Sequence, residues 1–168
     1  MNLVIFDLET TGWSPRYNEI IQIAAVRMRR GVVLGAETFD TFVRPTRDIP
    51  ETISTLTGIT NEDVRTAPEP TQALADFSRF VGNDIIVAHN GQRFDLRFIR
   101  AHCENNLIPL REVPFSDSLS LSHLIWPNEP SHSLDAVMER LRLSGEECRR
   151  HDARGDVLLL AEAVRQMW

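Results

Sequence analysis

Five side chains able to do acid–base or metal chemistry recur in three separated segments. Asp7 and Glu9 lie in FDLETTG, Asp95 in AHNGQRFDLRFI, and His151 and Asp156 in HDARGDVLLL. Each carboxylate falls inside or beside an apolar run, where a buried charge is costly unless a cation meets it. No basic residue precedes Arg16, so Asp7 and Glu9 have no cation close by in the sequence. A shared divalent ion suits such hard oxygen donors. Carboxylates gathered around two such ions are the equipment of phosphodiester hydrolysis, where the ions activate water and stabilise the departing oxygen.

The spacings support that chemistry. Asp7 and Glu9 are two apart on an expected strand, so both leave the same face about 7 Å apart. On a helix, Asp95 shares a face with Phe98, Ile99 and His102 at i+3, i+4 and i+7, away from Arg93, Arg97 and Arg100. Asp156 lies one turn before Leu160 and flanks the apolar stripe Val157, Leu160, Ala161 and Val164. His151 stands five residues earlier, at or just before the first turn of that helix. An imidazole with an ordinary pKa near 6.5 can take a proton from water at neutral pH.

Hydrophobic periodicity supplies the elements that must position these groups. Strands are expected at Leu3–Leu8, Glu19–Met28 and Val32–Val43, the last two joined at Gly31, giving an antiparallel meander. Short helices follow at Glu51–Leu56 and Asn61–Val64, after Pro45 and Pro50 break the sheet. Thr71–Val81 reads as a helix, Asp84–His89 as a buried strand, Phe94–Cys103 as a helix and Val113–Ser116 as a short strand. Helices are expected at Leu119–Ile125, around Leu134–Leu141 and from about Asp152 to Met167. Three antiparallel strands followed by helix–strand alternation give an α/β fold, a mixed sheet with helices on both faces.

The bulk properties bound the rest. The 168 residues fit one domain spanning 1–168, with 42% hydrophobic and 25% charged residues. No apolar stretch is long enough to cross a bilayer, so no membrane partner is expected. The first residues lack the pattern of a signal peptide, and two distant cysteines, Cys103 and Cys148, suit reduced thiols; both point to the cytoplasm. A net charge of −6 argues against nucleic-acid binding by bulk electrostatics. Metal ions at the site would reverse that sign locally. All 18 basic residues are arginine, whose fork matches phosphate oxygens.

FDLETTG, VAHNGQRFDLRFI and the H-x4-D of HDARGD together resemble the three motifs of the DEDDh family, the DnaQ-like 3′–5′ exonucleases that include the epsilon-like proofreading subunits of DNA polymerase III. The segments IPETISTLTGIT and HSLDAVMERL are similar to that family's intervening stretches, so the resemblance spans nearly the whole chain. It implies a ribonuclease H-like three-layer fold with a five-stranded sheet, and two Mg²⁺ ions replaceable by Mn²⁺. Asp7, Glu9 and Asp156 would hold the first ion. Asp7 would also touch the second, which Asp95 would reach directly or through water, and His151 would be the general base. Thr10, Thr11 and Gly12 would hold the 3′-terminal nucleotide, with Leu56, Thr57, Asn90 and Phe94 around it and Trp13 positioned to stack on a base. Thr57 departs from the family, in which many members carry His before this glycine. The implied reaction removes nucleoside 5′-monophosphates from 3′ ends of nucleic acid, DNA rather than RNA. The alternatives are an exoribonuclease with the same site, or a proofreading module docked on a polymerase or repair partner.

Overall fold

β1 (Asn2–Thr10) is buried on both faces, and its alternation organises the molecule. Val4, Phe6 and Leu8 enter one apolar cluster, while Leu3 and Ile5 enter another on the opposite face. A strand covered on both sides reads as a continuous apolar run, as this one does. The computed structural model describes residues 2–143 and 153–168. His151 and Cys148 therefore lie outside the described residues.

The sheet has five strands in the order β3-β2-β1-β4-β5. β2 (Ile20–Arg29) pairs antiparallel with β1 and with β3 (Val32–Phe42), forming the expected meander. Arg30 and Gly31 join β2 to β3, both at positive φ (51° and 77°), the geometry of a two-residue hairpin. β4 (Ile85–Ala88) and β5 (Phe115–Asp117) add in parallel on the other side of β1. The register of β1 against β2 shifts between Glu9 and Thr10, a bulge where the strand hands over to the 11–18 loop.

One face carries α3 (Pro70–Val81) and α4 (Asp95–Asn105), whose Ala73, Leu74, Phe77, Val81 and Phe98 pack on Val4, Phe6 and Leu8. Pro70 opens α3 at its first turn, where the missing N–H costs nothing. The other face carries α7 (Ala153–Met167), with Ala153, Val157, Leu160, Ala161 and Val164 against Leu3, Ile5, Ala24, Val26 and Met28. α1 (Glu51–Thr57) and α2 (Asn61–Val64) close a smaller cluster around Ile21, Ile49 and Ile59. α5 (Ser118–Ile125) and α6 (Leu134–Arg140) follow β5. This is the mixed sheet with helices on both faces that the sequence pattern predicts.

Differences from the predicted boundaries have local causes. Phe94 caps α4 instead of belonging to it, with φ −122° and ψ −79°. β5 begins two residues later than expected, because its ladder runs from Phe115 opposite Ile86 to Asp117 opposite Ala88. Asp84 drops out of β4 and meets the Arg27 guanidinium, which reaches it from β2 past β1.

Leu160 is 1% exposed at the centre of the α7 interface. Leu160→Ala is expected to cost about 2–5 kcal/mol. Urea unfolding measures it, and a loss below 1 kcal/mol would show that α7 is not held by this packing.

Candidate functional site

Asp7 and Glu9 continue the face of β1 on which Leu3 and Ile5 pack, because side chains two apart share a face. α7 covers that face, and its first turn carries Asp156 one turn ahead of Leu160. The three carboxylates consequently converge, with one oxygen from each within 4.8 Å of the others. Asp7 and Glu9 are half-buried and Asp156 is buried. Three like charges this close repel one another by a few kcal/mol per pair at an effective dielectric near ~20. A set of three hard oxygen donors in one place fits a Mg²⁺ or Mn²⁺ ion.

The start of α7 is tied to the sheet beside the trio. Arg154 meets Asp40 of β3, and Asp40 also accepts from the Gln22 carboxamide at 2.9 Å. Gln22 pairs with Glu9 across the β1–β2 ladder and is 2% exposed. Sequence reasoning missed Gln22. Its signal was a lone amide inside EIIQIAAV.

Asp95 reaches this end of the sheet from the opposite layer, at the first residue of α4. It does not belong to the close three-carboxylate group. The side chain is 2% exposed, and its Oδ1 is buried without a hydrogen-bond partner. Burial pushes its pKa up to about 7, against the pull of its own backbone N–H and that of Leu8, with the Asp117 charge adding to the rise. An orphaned, deeply buried carboxylate oxygen is itself a demand for a cation or a proton.

The turn ahead of Asp95 is built by Asp117, which sequence reasoning also missed. Its carboxylate accepts from the backbone N–H of Asn90 at 2.8 Å, Gln92 at 3.2 Å and Leu119 at 3.0 Å. The last of these caps α5, so the Asp-Ser pair before an apolar helix was the available signal. Asn90 adopts a positive φ of 60° within this turn. At Gly91 a Cβ would come within 2.6 Å of the Ala88 Cβ and 3.4 Å of Asp95 Oδ2, so the turn needs glycine.

Beside the trio lies a cavity of about 170 Å³ lined by Asp7, Leu8, Glu9, Thr10, Gly12, Trp13, Ile53, Leu56, Thr57, Phe94 and Asp156. That is below the roughly 300–1,000 Å³ that encloses a drug-sized molecule, so it suits a fragment of a longer ligand. Trp13 and Phe94 are in contact, with ring centroids 5.9 Å apart and planes tilted by 60°. Ile53 and the half-exposed Leu56 come from α1. Ile53 was not among the residues foreseen. A larger cavity of about 620 Å³, between α3, α4 and β5, touches none of the candidate residues.

Not every expected contact residue is brought to that wall. Thr11 and Asn90 do not line the cavity. The Thr11 hydroxyl accepts from the Glu19 N–H at 2.9 Å, and the Asn90 N–H is held by Asp117. Thr10 and Thr57 do line it, with their hydroxyls bonded internally. Thr10 donates to the Gly12 carbonyl at 2.7 Å; Thr57 donates to Ile53 at 2.9 Å and accepts from the Ile59 N–H at 3.1 Å.

A mixed five-stranded sheet between helices, with this acidic group at one end of its central strand, defines a ribonuclease H-like α/β fold. Residues 4–164 match the family model described as Exonuclease, and the chain belongs to that family in its DnaQ-like branch. It is 40% identical over 150 residues to a PolC-type DNA polymerase III of Latilactobacillus sakei, covering 89% of this chain and 10% of that protein. It is 40% identical over 169 residues to a DNA polymerase III subunit epsilon-like protein of Rhodobacter capsulatus, covering 99% of this chain and 24% of that one. The chain thus spans a tenth to a quarter of these relatives. Among solved structures, exonuclease X in complex with 5′ overhanging duplex DNA superposes with a TM-score of 0.79 at 23% identity, covering 98% of this chain and 90% of that one. E. coli exonuclease I in complex with a dT13 oligonucleotide gives 0.84 at 20% identity, covering 98% of this chain and 40% of that one.

The raised Asp95 pKa has a definite consequence for stability. Its folded value near 7 lies above the unfolded value near ~3.9, so the folded protein binds this proton more tightly between the two. In chelator, stability from this group is therefore highest below about pH 4 and falls as pH rises toward 7. Asp95→Asn removes that loss. Relative to the variant, the wild type is expected to weaken by on the order of a few kcal/mol between pH 5 and 8. Parallel unfolding curves would refute the assignment.

Proposed function

We propose that this chain is a metal-dependent 3′–5′ exonuclease that hydrolyses the terminal phosphodiester of DNA and releases nucleoside 5′-monophosphates. The observation that carries the reading is the convergence of Asp7, Glu9 and Asp156 within 4.8 Å beside a fragment-sized cavity walled by Trp13, Phe94 and Leu56. Asp7, Glu9 and Asp156 would hold one divalent ion, and Asp7 with Asp95 a second. When bound, the ions supply charge stabilisation and lower the pKa of water. The chain's own residues do the rest. Trp13, Phe94, Leu56 and Ile53 line the space that would take the terminal nucleotide. Gly12 brings backbone to the same wall. His151, outside the described residues, is the proton acceptor, five residues before Asp156.

The names of the polymerase relatives favour DNA over RNA and a proofreading role beside a polymerase. The decisive comparison uses end-labelled DNA and RNA oligonucleotides, single- and double-stranded, with Mg²⁺ or Mn²⁺. DNA should shorten from its 3′ end one nucleotide at a time, and a mismatched 3′ terminus should be removed faster than a matched one. No hydrolysis, or RNA consumed in preference, would overturn the reading.

Asp7→Ala and Asp156→Ala are expected to abolish hydrolysis while leaving the metal-free fold intact or slightly more stable, since each removes one of three repelling charges. Mg²⁺ or Mn²⁺ should raise the wild-type melting temperature and not that of the variants. Near-normal turnover by either variant in Mg²⁺ would refute the ligand assignment.

His151→Ala should instead keep metal affinity, measured by calorimetry, while the rate falls roughly 10²–10⁴-fold. Its residual activity should climb with pH, without the histidine-like inflection. Lost metal binding would make His151 a ligand, and an unchanged rate a bystander.

A further inference from the structure

We infer that the Arg16–Tyr17 turn, together with Arg47, is a platform that binds single-stranded polynucleotide just upstream of the terminal nucleotide; this rests on the exonuclease reading above. Tyr17 is the chain's only tyrosine and is 62% exposed. The Arg16 guanidinium lies 5.4 Å from its ring centroid, within cation–π range on one face. Arg47 donates to the Tyr17 carbonyl from the segment after β3. Among the described residues neither arginine has a carboxylate within 4.0 Å, unlike Arg27, Arg29, Arg44 and Arg65. In a chain of net charge −6, two adjacent cations without acidic partners are available to phosphates.

The turn that presents this ring is held from inside. The N–H groups of Tyr17 and Asn18 donate to the Ser14 carbonyl at 3.0 and 2.8 Å. Asn18 Oδ1 accepts from the Ser14 N–H at 3.0 Å, and its Nδ2 donates to the Thr11 carbonyl at 3.3 Å. A Cβ at Gly12 would come within 2.7 Å of the Asn18 side chain, so the loop closes tightly over it. Glu19 extends the stitching by accepting from the Thr46 N–H at 3.0 Å, which fixes the segment carrying Arg47. A turn held this way presents the ring from a fixed backbone, which lowers the ordering cost of stacking a base.

Position completes the case. The same turn begins at Trp13, which lines the cavity beside the acidic trio. That cavity takes only a fragment of a polymer, so the strand leaving it must run over adjacent surface. Tyr17 offers a π-face that any base can stack on, and Arg16 and Arg47 offer partners for the backbone. Stacking a base on a side chain requires it to leave its neighbours in the stack, which is cheap in a single strand and costs pairing as well in a duplex. The platform therefore selects an unpaired 3′ end over a blunt duplex.

The test compares wild type with Tyr17→Ala, Tyr17→Phe and Arg47→Gln on two substrates. The p-nitrophenyl ester of thymidine 5′-monophosphate reaches the cavity alone, while an eight-nucleotide single strand reaches the platform as well. For Tyr17→Ala the ratio of kcat/KM on the octamer to that on the ester should fall roughly tenfold. Tyr17→Phe should restore it, and Arg47→Gln should lower it and flatten the salt dependence of octamer binding. Wild-type preference for the single strand over a blunt duplex should shrink in Tyr17→Ala. Equal losses on both substrates would make the turn a support for the cavity and overturn the proposal, as would an unchanged ratio. Fluorescence anisotropy with labelled single-stranded DNA and RNA, in chelator, reads the platform without hydrolysis and separates the two polymers. If wild type hydrolyses neither substrate, the exonuclease reading fails. A Tyr17-dependent strand affinity would then still uphold the platform, and its absence would defeat it.

Discussion

The two-residue alternation of β1 is the constraint from which the site follows. Its odd-numbered residues begin apolar, at Leu3 and Ile5, and end acidic, at Asp7 and Glu9, all on the face that α7 covers. The packing that buries Val157, Leu160 and Val164 also delivers Asp156 to those two carboxylates. Burial of each such side chain contributes about 1.5–3 kcal/mol, enough in sum to outweigh charge repulsion of a few kcal/mol per pair. Hydrophobic packing thus brings the three carboxylates together despite their mutual repulsion. A fixed acidic cluster of this kind is prepared for a cation before one arrives.

Asp95 belongs to the other layer, and that separation gives it a different electrostatic character. The β1–β4 ladder pairs Ile5 with Val87 as its last rung, and β4 ends at Ala88, so α4 begins where the sheet edge opens. The Asp117 clamp then sets the turn and aims Asp95 toward the Leu8 backbone. Buried to this depth, its carboxyl holds a proton near neutrality, while Asp7 and Glu9 of the trio are only half-buried. Strongly perturbed carboxyls in a cleft are a mark of functional sites. Under the proposed function, two layers carrying carboxylates of unlike environment would serve two unlike positions around one phosphate.

An acidic chain is compatible with the proposed polyanionic substrate because of where its charges lie. The negative charge that matters is concentrated where cations would sit, and Arg16 and Arg47 lie at the loop that leaves the cavity. The bulge between Glu9 and Thr10 turns β1 out of the sheet into that loop. Strand, bulge and loop therefore form one continuous feature, from the carboxylates through Trp13 to Tyr17.

Much of this was legible in the residues. Period-2 burial marked β1, the i, i+3, i+4 stripe marked α7 and α4, and Gly31 marked the hairpin, because local periodicity is written directly in side-chain polarity. The identity of Asp7, Glu9, Asp95 and Asp156 as exceptional carboxylates was legible for the same reason: each interrupts an apolar pattern. Their grouping was not written in local spacing, and only the resemblance of the three motifs to a known family implied it. That Asp156 joins Asp7 and Glu9 while Asp95 stands in the opposite layer depends on which face each helix covers, a long-range choice that no local spacing encodes. The supporting roles of Asp117 and Gln22 likewise arise only when residues well apart in the chain exchange hydrogen bonds. Sequence determined the chemistry available at each position, and tertiary packing decided which of those groups meet, because packing on one face of a sheet excludes the other.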